Sequence, residues 1–176
     1  INSLEQRNLV DPLTGLGNGR YLQQKMLDSL RQLESRGGAL CYLLIGLEDV
    51  QPLREQHGES FYNELLRSAA RRLQQHVRPL DVLVRLEDGH FGLLTLLSDL
   101  QECSPTSFKR LHEGLNLKAF KTSEGFISIK AGISLVGLDA QSLPTTPQTL
   151  LDRASDLLPD ACSSGRINAV RLPKAQ

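Results

Sequence analysis

The sequence predicts an α/β (α+β) domain, a single central mixed sheet flanked by helices, with a β-hairpin in the middle of the chain. Three observations predict it. Ala39–Leu47 (ALCYLLIGL) is almost unbroken in hydrophobicity, the pattern of a strand covered on both faces. Glu59–Val77 places Phe61, Leu65, Leu66, Ala69, Leu73 and Val77 on one stripe, as a helix lying on a sheet requires. Val82–Leu86 and Phe91–Leu97 are β-rich runs separated by Glu87-Asp88-Gly89-His90, and Asp-Gly between apolar runs is a strong hairpin signal.

The remaining elements follow in chain order. Tyr21–Arg36 spaces Leu22, Met26, Leu27, Leu30 and Leu33 as a helix does, and Gly37-Gly38 stops it. The strand Ala39–Leu47 comes next, then a short helix and turn at Gln51–Gly58 and the long helix, which Pro79 ends. After the hairpin, Pro105–Leu115 reads as a helix, Phe126–Val136 as a strand, Thr146–Cys162 as a helix weakened by Pro159, and Ile167–Leu172 as a closing strand. Beyond the first helix the order is β-α-α-β-β-α-β-α-β. No internal repeat or linker divides it, so one sheet is expected.

Composition narrows the function. With 176 residues, 40% of them hydrophobic, the chain is long enough for one domain with a real core and is not a disordered segment. Its 20 Lys+Arg balance 20 Asp+Glu, without the positive surplus of a nonspecific duplex binder, so no nucleic-acid partner is expected. The longest apolar runs, Ala39–Ile45 and Phe91–Leu97, are too short to cross a bilayer, so this segment is expected to be soluble and to make no membrane contact. Cys41, Cys103 and Cys162 are odd in number and far apart, which supports neither a disulfide framework nor a zinc site and suits a reducing cytoplasm. His57, His76, His90 and His112 show no metal-binding spacing, and the absence of a G-x-S-x-G elbow or a P-loop removes the usual hydrolase and NTPase readings. Residues 1–10, with Leu4 and Leu9, read as the end of a helix already under way, residues 11–172 as the domain, and residues 173–176 as a tail or linker. The chain is therefore expected to be a piece of a longer protein.

Asp11-Pro12-Leu13-Thr14-Gly15-Leu16-Gly17-Asn18 resembles the opening signature of the GGDEF, or diguanylate cyclase, family, D-x-L-T-G-L-x-N-R, with Gly19 interposed before Arg20. Gly165-Arg166 resembles that family's C-terminal G-R-N, and the order of elements is also the family's. The resemblance covers essentially the whole chain and implies a nucleotidyl-cyclase-like fold. It also implies a reaction, the joining of two GTP molecules into cyclic di-GMP, which needs carboxylates that hold divalent metal against the triphosphate.

Against that pattern this chain is degenerate. Where the family has D-x-D-x-F-K at the end of the first strand, Gly46-Leu47-Glu48-Asp49-Val50-Gln51 stands, so Gly46 holds the position of the metal-binding Asp. The turn that gives the family its name reads Glu87-Asp88-Gly89-His90-Phe91, so Gly89 holds the second metal position, His90 the one after it, and two acids replace the glycine pair. Glu87 and Asp88 would set negative charge against phosphates where the glycines let the backbone approach. The family's guanine-contacting Asn and Asp correspond to Arg54 and Asn63, and its phosphate-binding Lys to Cys162. Only Arg166 keeps the expected type. The expectation is an inactive domain, not an enzyme, with no catalytic residue, no bound metal, no cofactor and no requirement for Mg²⁺.

One family site is retained in register. An R-x-x-D that binds product ends the helix before the hairpin, five residues ahead of the glycine pair, and Arg78-Pro79-Leu80-Asp81 stands there. A guanidinium forks onto phosphate oxygens or a guanine edge, and a carboxylate accepts from guanine N–H groups. Lys109 or Arg110 falls where a second basic residue joins. Position carries this inference, since Arg85–Asp88 and Arg153–Asp156 spell the same pattern. The resemblance thus implies a regulatory domain with cyclic di-GMP as its ligand through Arg78, Asp81 and Arg110. It implies as partners an upstream sensor domain, an adjoining E-A-L phosphodiesterase domain and a second copy in a homodimer. The location is cytoplasmic, either free or as the cytoplasmic part of a membrane-anchored protein. The alternatives are a structural dimerisation module without ligand and an atypical active cyclase in which Glu48 or Asp88 substitutes for a lost carboxylate.

Overall fold

The computed structural model describes residues 8–175. Helix α1 (Gly19–Arg36) leads into β1 (Ala39–Leu47), α2 (Val50–His57) and α3 (Glu59–Gln74). A hairpin of β2 (Val82–Arg85) and β3 (His90–Leu97) follows, then α4 (Lys109–Asn116) and a small second hairpin of β4 (Phe120–Thr122) and β5 (Gly125–Ile127). The chain closes with β6 (Ala131–Asp139), α5 (Pro147–Ser164) and β7 (Ile167–Arg171). The main sheet has the order β2-β3-β1-β6-β7; every pairing in it is antiparallel except β6 with β7, so the sheet is mixed.

Strand β1 lies at the centre, and all nine of its residues are buried. Alternate side chains serve two cores. Leu40, Tyr42 and Leu44 join Leu22, Met26, Leu33, Leu150, Ala154 and Leu158 of α1 and α5. Cys41, Leu43, Ile45 and Leu47 join Phe61, Leu65, Leu66, Leu73 and Leu111 of α3 and α4. The helices begin where capping chemistry allows: the Asn18 side chain accepts from the Tyr21 amide, and that of Thr146 accepts from the Thr149 amide ahead of Pro147. No helix among the described residues is long and apolar enough to cross a membrane.

Three expectations change. The single strand expected at Phe126–Val136 is two elements: the β4–β5 hairpin turns at Gly125, whose φ is 97°, and β6 starts only at Ala131. Tertiary contacts decide this. Glu64 of α3 accepts hydrogen bonds from the Ser123 amide and hydroxyl (2.8 and 2.7 Å), while the Asn116 side chain brackets Ala131, accepting from its amide (2.8 Å) and donating to its carbonyl (3.1 Å). The helix expected over Thr146–Cys162 is present as α5, which continues through Pro159 to Ser164 with Leu158 and Ala161 buried. Helix α3 ends at Gln74, short of Val77, and Pro105–Phe108 is a 3₁₀ turn ahead of α4. At the N-terminus, the expected helix over residues 1–10 falls largely outside the described residues; Asn8 and Leu9 form a turn, and Val10 bridges Gly17.

The Asp11–Asn18 loop is clamped to the sheet edge. Asp11, 8% exposed, accepts from the Thr14 amide (3.0 Å) and hydroxyl (2.7 Å) through Oδ2 and pairs through Oδ1 with Nη1 of Arg85 (3.3 Å). The Arg85 amide donates to the Gly17 carbonyl (2.9 Å), and Gly17 bridges Val84 in parallel.

Gly132 of β6 packs directly on the α5 backbone: a Cβ there would lie 2.3 Å from the Cys162 nitrogen and 2.4 Å from the Ala161 carbonyl carbon. Backbone cannot yield as a side chain does, so Gly132→Ala should cost on the order of 3 kcal/mol in urea unfolding. Arg85→Ala, which leaves the Asp11 carboxylate nearly buried without its cation, should cost about 2 kcal/mol, whereas Arg153→Ala on the exposed face of α5 should leave stability within about 0.5 kcal/mol of the parent.

Candidate functional site

The β2–β3 turn and the end of β1 sit together at one edge of the molecule. His90 donates its amide to the Glu87 carbonyl (3.1 Å), and Asp88 adopts a left-handed φ of 55°, a conformation that a glycine takes at no cost. Glu87 and Asp88 are exposed, and the Gly89 carbonyl accepts from the Leu47 amide (2.9 Å). The space a side chain would need at Gly46 and Gly89 is occupied. A Cβ on Gly46 would lie 3.0 Å from Cys162 Sγ and 3.1 Å from a Leu158 methyl; one on Gly89 would lie 2.8 Å from a Val50 methyl. Cys162 Sγ itself donates to the Gly46 carbonyl (3.7 Å), and burial pushes its thiol up, so the residue is a neutral filler.

The other positions around this edge are turned to local partners. Glu48 donates its amide to the Lys130 carbonyl (2.7 Å), with its carboxylate 3.9 Å from Lys130 Nζ. Arg54 forks onto Glu59 (2.6 and 2.7 Å) and lies over the Tyr62 ring at 4.5 Å, while Asn63 is half-buried on α3. His90, opposite Gly46 across β1–β3, is shifted down by burial, which outweighs the opposite pull of Asp88 and Glu87, and is therefore neutral near pH 7. Among the described residues no three His, Cys, Asp or Glu side chains converge to hold a metal ion. Arg166 lines a shallow groove with Lys109 and His112.

The second candidate lies on the α3/α4 face. Asp81 donates its amide to the Arg78 carbonyl (3.0 Å), closing a four-residue turn with Pro79 in the second position, where its fixed φ belongs. The turn brings Arg78 Nε within 3.5 Å of Asp81 Oδ1, and the Arg78 amide donates to Asp81 Oδ2 (2.9 Å). Thr95 completes the group by accepting from the Arg78 guanidinium and donating to Asp81 Oδ1 (2.7 Å), while Arg78 also donates to the Leu96 carbonyl (3.0 Å). Asp81 is only 8% exposed and Arg78 58% exposed, so the acid is fixed and the base reaches outward.

A cleft of about 440 Å³ opens beside them, lined by Arg110, His76, Glu102 and Phe108 as well. Of the two basic residues the sequence offered, Arg110 is the one in this cleft and Lys109 is not. His76 is shifted down by burial and by the neighbouring Lys118 and Arg72, so it adds a neutral ring. Sequence reasoning missed Thr95, His76 and Glu102. The one available signal was Thr95, the only hydroxyl in the apolar run Phe91–Leu97.

Comparison with known proteins places the chain by family and fold. The model of the family described as "Diguanylate cyclase, GGDEF domain" matches residues 8–168. The response regulator PleD of Caulobacter vibrioides is 30% identical over 166 residues, an alignment that takes in 92% of this chain and 35% of PleD; the chain thus spans about a third of that relative. Among solved structures, the GGDEF domain of FimX from Pseudomonas aeruginosa superposes with a TM-score of 0.80 at 22% identity, covering 93% of this chain and 98% of that one. The coiled coil and GGDEF domain of DgcB from Caulobacter crescentus, solved in complex with c-di-GMP, superposes with a TM-score of 0.82 at 13% identity, covering 96% and 88%. The two low-identity likenesses speak for the fold, and the family match together with that fold shows that the chain belongs to the diguanylate cyclase GGDEF-domain family.

Proposed function

We propose that this GGDEF domain, which belongs to cyclic di-GMP signalling, makes no cyclic di-GMP and instead binds it in the cleft of Arg78, Asp81 and Arg110. The observation that carries the reading is the assembly of two guanidinium groups and a nearly buried carboxylate in one cleft, with the carboxylate held by a turn and by Thr95. Such a set matches a ligand that offers phosphate oxygens and guanine N–H donors. DgcB, of the same fold, was solved with that ligand bound.

The loss of turnover rests on the other edge. Mg²⁺ demands hard oxygen ligands in a tight shell. Gly46 and Gly89 supply no side-chain oxygen, Cys162, Leu158 and Val50 crowd the places where one would start, and Glu48 is turned toward Lys130. The residues present do not fit the ion. One observation favours a second reading, a structural partner module without ligand: Arg78 and Asp81 already satisfy each other and Thr95, as a surface ion pair would. As a regulatory domain of this kind, the chain would act in the cytoplasm beside an upstream sensor and an E-A-L domain, in a homodimer.

Incubation with GTP and Mg²⁺ or Mn²⁺, followed by nucleotide chromatography, should show no cyclic di-GMP. Steady turnover lost on mutating Glu48 or Asp88 would establish the atypical cyclase instead. Restoring the acids by Gly46→Asp with Gly89→Asp should lower stability without creating turnover.

In calorimetry with cyclic di-GMP, Arg78→Ala and Asp81→Ala should each weaken binding tenfold or more, about 1.5–3 kcal/mol for a charged hydrogen-bonding group. Arg153→Ala should bind as the parent does. A parent chain that does not bind at high micromolar ligand, or an Arg78→Ala that binds as well, would leave the structural-module reading in its place.

A further inference from the structure

The register of the main sheet sets four residues from four strands in one row on its α3/α4 face: Thr95 of β3, Cys41 of β1, Gly137 of β6 and Arg171 of β7. Gly137 leaves the side-chain place opposite Cys41 open, and Cys103 fills it. A Cβ on Gly137 would lie 2.7 Å from the Cys103 Cβ and 3.2 Å from its Sγ. Residues directly opposite in an antiparallel pair have Cβ atoms about 4.5–5.5 Å apart, and a disulfide spans about 3.5–4.5 Å between Cβ atoms. Cys103 therefore stands within a small shift of bridging to Cys41. Both thiols are free and buried in the same core cluster, and Cys103 Sγ also donates to the Leu40 carbonyl (3.8 Å).

The two sulfurs differ in their surroundings. Burial foremost, then the Cys103 sulfur and the Asp81 carboxylate, push the Cys41 thiol well up, so it stays protonated. Cys103 is drawn down, first by the hydrogen bond from Cys41 and further by the Arg171 cation, against burial and the acids Glu102 and Asp99. Access differs as well. Cys41 lies in the central strand, whereas Cys103, 2% exposed, follows the 3₁₀ turn Leu100–Glu102, whose Gln101 and Glu102 are exposed. Lifting that one turn uncovers Cys103, with Cys41 next to it. The odd and scattered cysteines of the sequence exclude a disulfide framework, but not one pair that folding brings together for reversible oxidation.

We propose that Cys41 and Cys103 are a peroxide-responsive pair, which closes to a reversible disulfide that draws the Leu100–Glu102 turn onto β1 beside the Arg78 cleft. The Cys103 thiolate attacks one oxygen of a hydroperoxide; the S–O bond forms, the O–O bond breaks, and the departing hydroxide takes up the proton that Cys103 released. The Cys41 sulfur then attacks the sulfenic sulfur of Cys103. The S–S bond forms, the S–O bond breaks, and hydroxide leaves as water with the Cys41 proton. Two thiols lose two electrons in total, and one hydrogen peroxide becomes two waters. A dithiol reductant reverses the change by exchange. Glu102 lines the Arg78 cleft, and Thr95, opposite Cys41, holds Arg78 and Asp81, so closing the bond shifts a wall of that cleft. The chemistry of the pair does not depend on what the cleft binds.

The test treats the folded, reduced 176-residue chain with a modest excess of hydrogen peroxide, then alkylates in denaturant and maps the peptides by mass spectrometry. The Cys41 and Cys103 peptides should appear joined, with two hydrogens lost, and dithiothreitol should part them. Cys162, the more exposed thiol, should still be alkylated, because exposure alone does not make a thiolate. In Cys41→Ala, which keeps the reactive sulfur, dimedone should trap a sulfenic acid on Cys103. Arg171→Gln, on the exposed end of β7, should slow oxidation several-fold while unfolding as the parent does. Oxidation should shift the NMR signals of the Glu102 amide and the Arg78 Nε–H group, and dithiothreitol should restore them. Arg78→Ala should oxidise as the parent does, so a failure of the Arg78 ligand reading and a failure of this one are told apart. The proposal is overturned if Cys162 oxidises while Cys41 and Cys103 remain alkylatable, if the link forms only in urea, if Arg171→Gln oxidises as fast as the parent, or if the Glu102 and Arg78 signals stay in place.

Discussion

The structure depends on one strand that cannot reach water. β1 gives both its edges to antiparallel partners and both its faces to helices, so all nine of its residues are buried and every backbone group must find its bond in β3 or β6. That requirement fixes register, since a slip by one residue would exchange the α1/α5 side chains with the α3/α4 side chains. Gly46 is placed against α5 by this register, as is His90 opposite it. The packing over the end of β1 follows from the same constraint. Once α5 packs closely enough for Cys162 and Leu158 to fill the space over Gly46, the end of β1 is part of the core and no longer a place to present a carboxylate.

The edge of the sheet is held by charge where the centre is held by apolar burial. Asp11, the first residue of the opening signature, serves Thr14 on its own loop and Arg85 on β2, and the Gly17 carbonyl receives the Arg85 amide. The signature therefore has a structural explanation that does not involve nucleotide: it ties the entry of α1 to the strand leading into the hairpin turn. Arg85 is thus a clamp, although its spacing to Asp88 imitates the R-x-x-D of Arg78 and Asp81.

The Arg78 group shows how a loop motif acquires a rigid support. Pro79 and the Asp81–Arg78 backbone bond make the turn, but Thr95 and the Leu96 carbonyl, both on β3, determine where the guanidinium stands. β3 extends past the start of β2, and Arg78 occupies the carbonyl left open there, so the site is anchored to the sheet at one end and free to meet a ligand at the other.

How much of this was legible in the sequence depended on the range of the interaction responsible. The central strand, the amphipathic helices and the main hairpin were legible because their patterns are local: apolar runs, a 3.6-residue stripe, an Asp-Gly turn. The β4–β5 hairpin was not, since Phe126 is apolar yet 74% exposed and its neighbours are set by Glu64 and Asn116 from distant helices. Tertiary structure alone chose Arg110 over Lys109, sent Arg166 to another groove and made Arg85 a clamp. Sequence by itself determined which residues can bond, charge or pack; only the folded sheet decided which of them meet, because those meetings join residues dozens of positions apart through pairing and packing that no local pattern encodes.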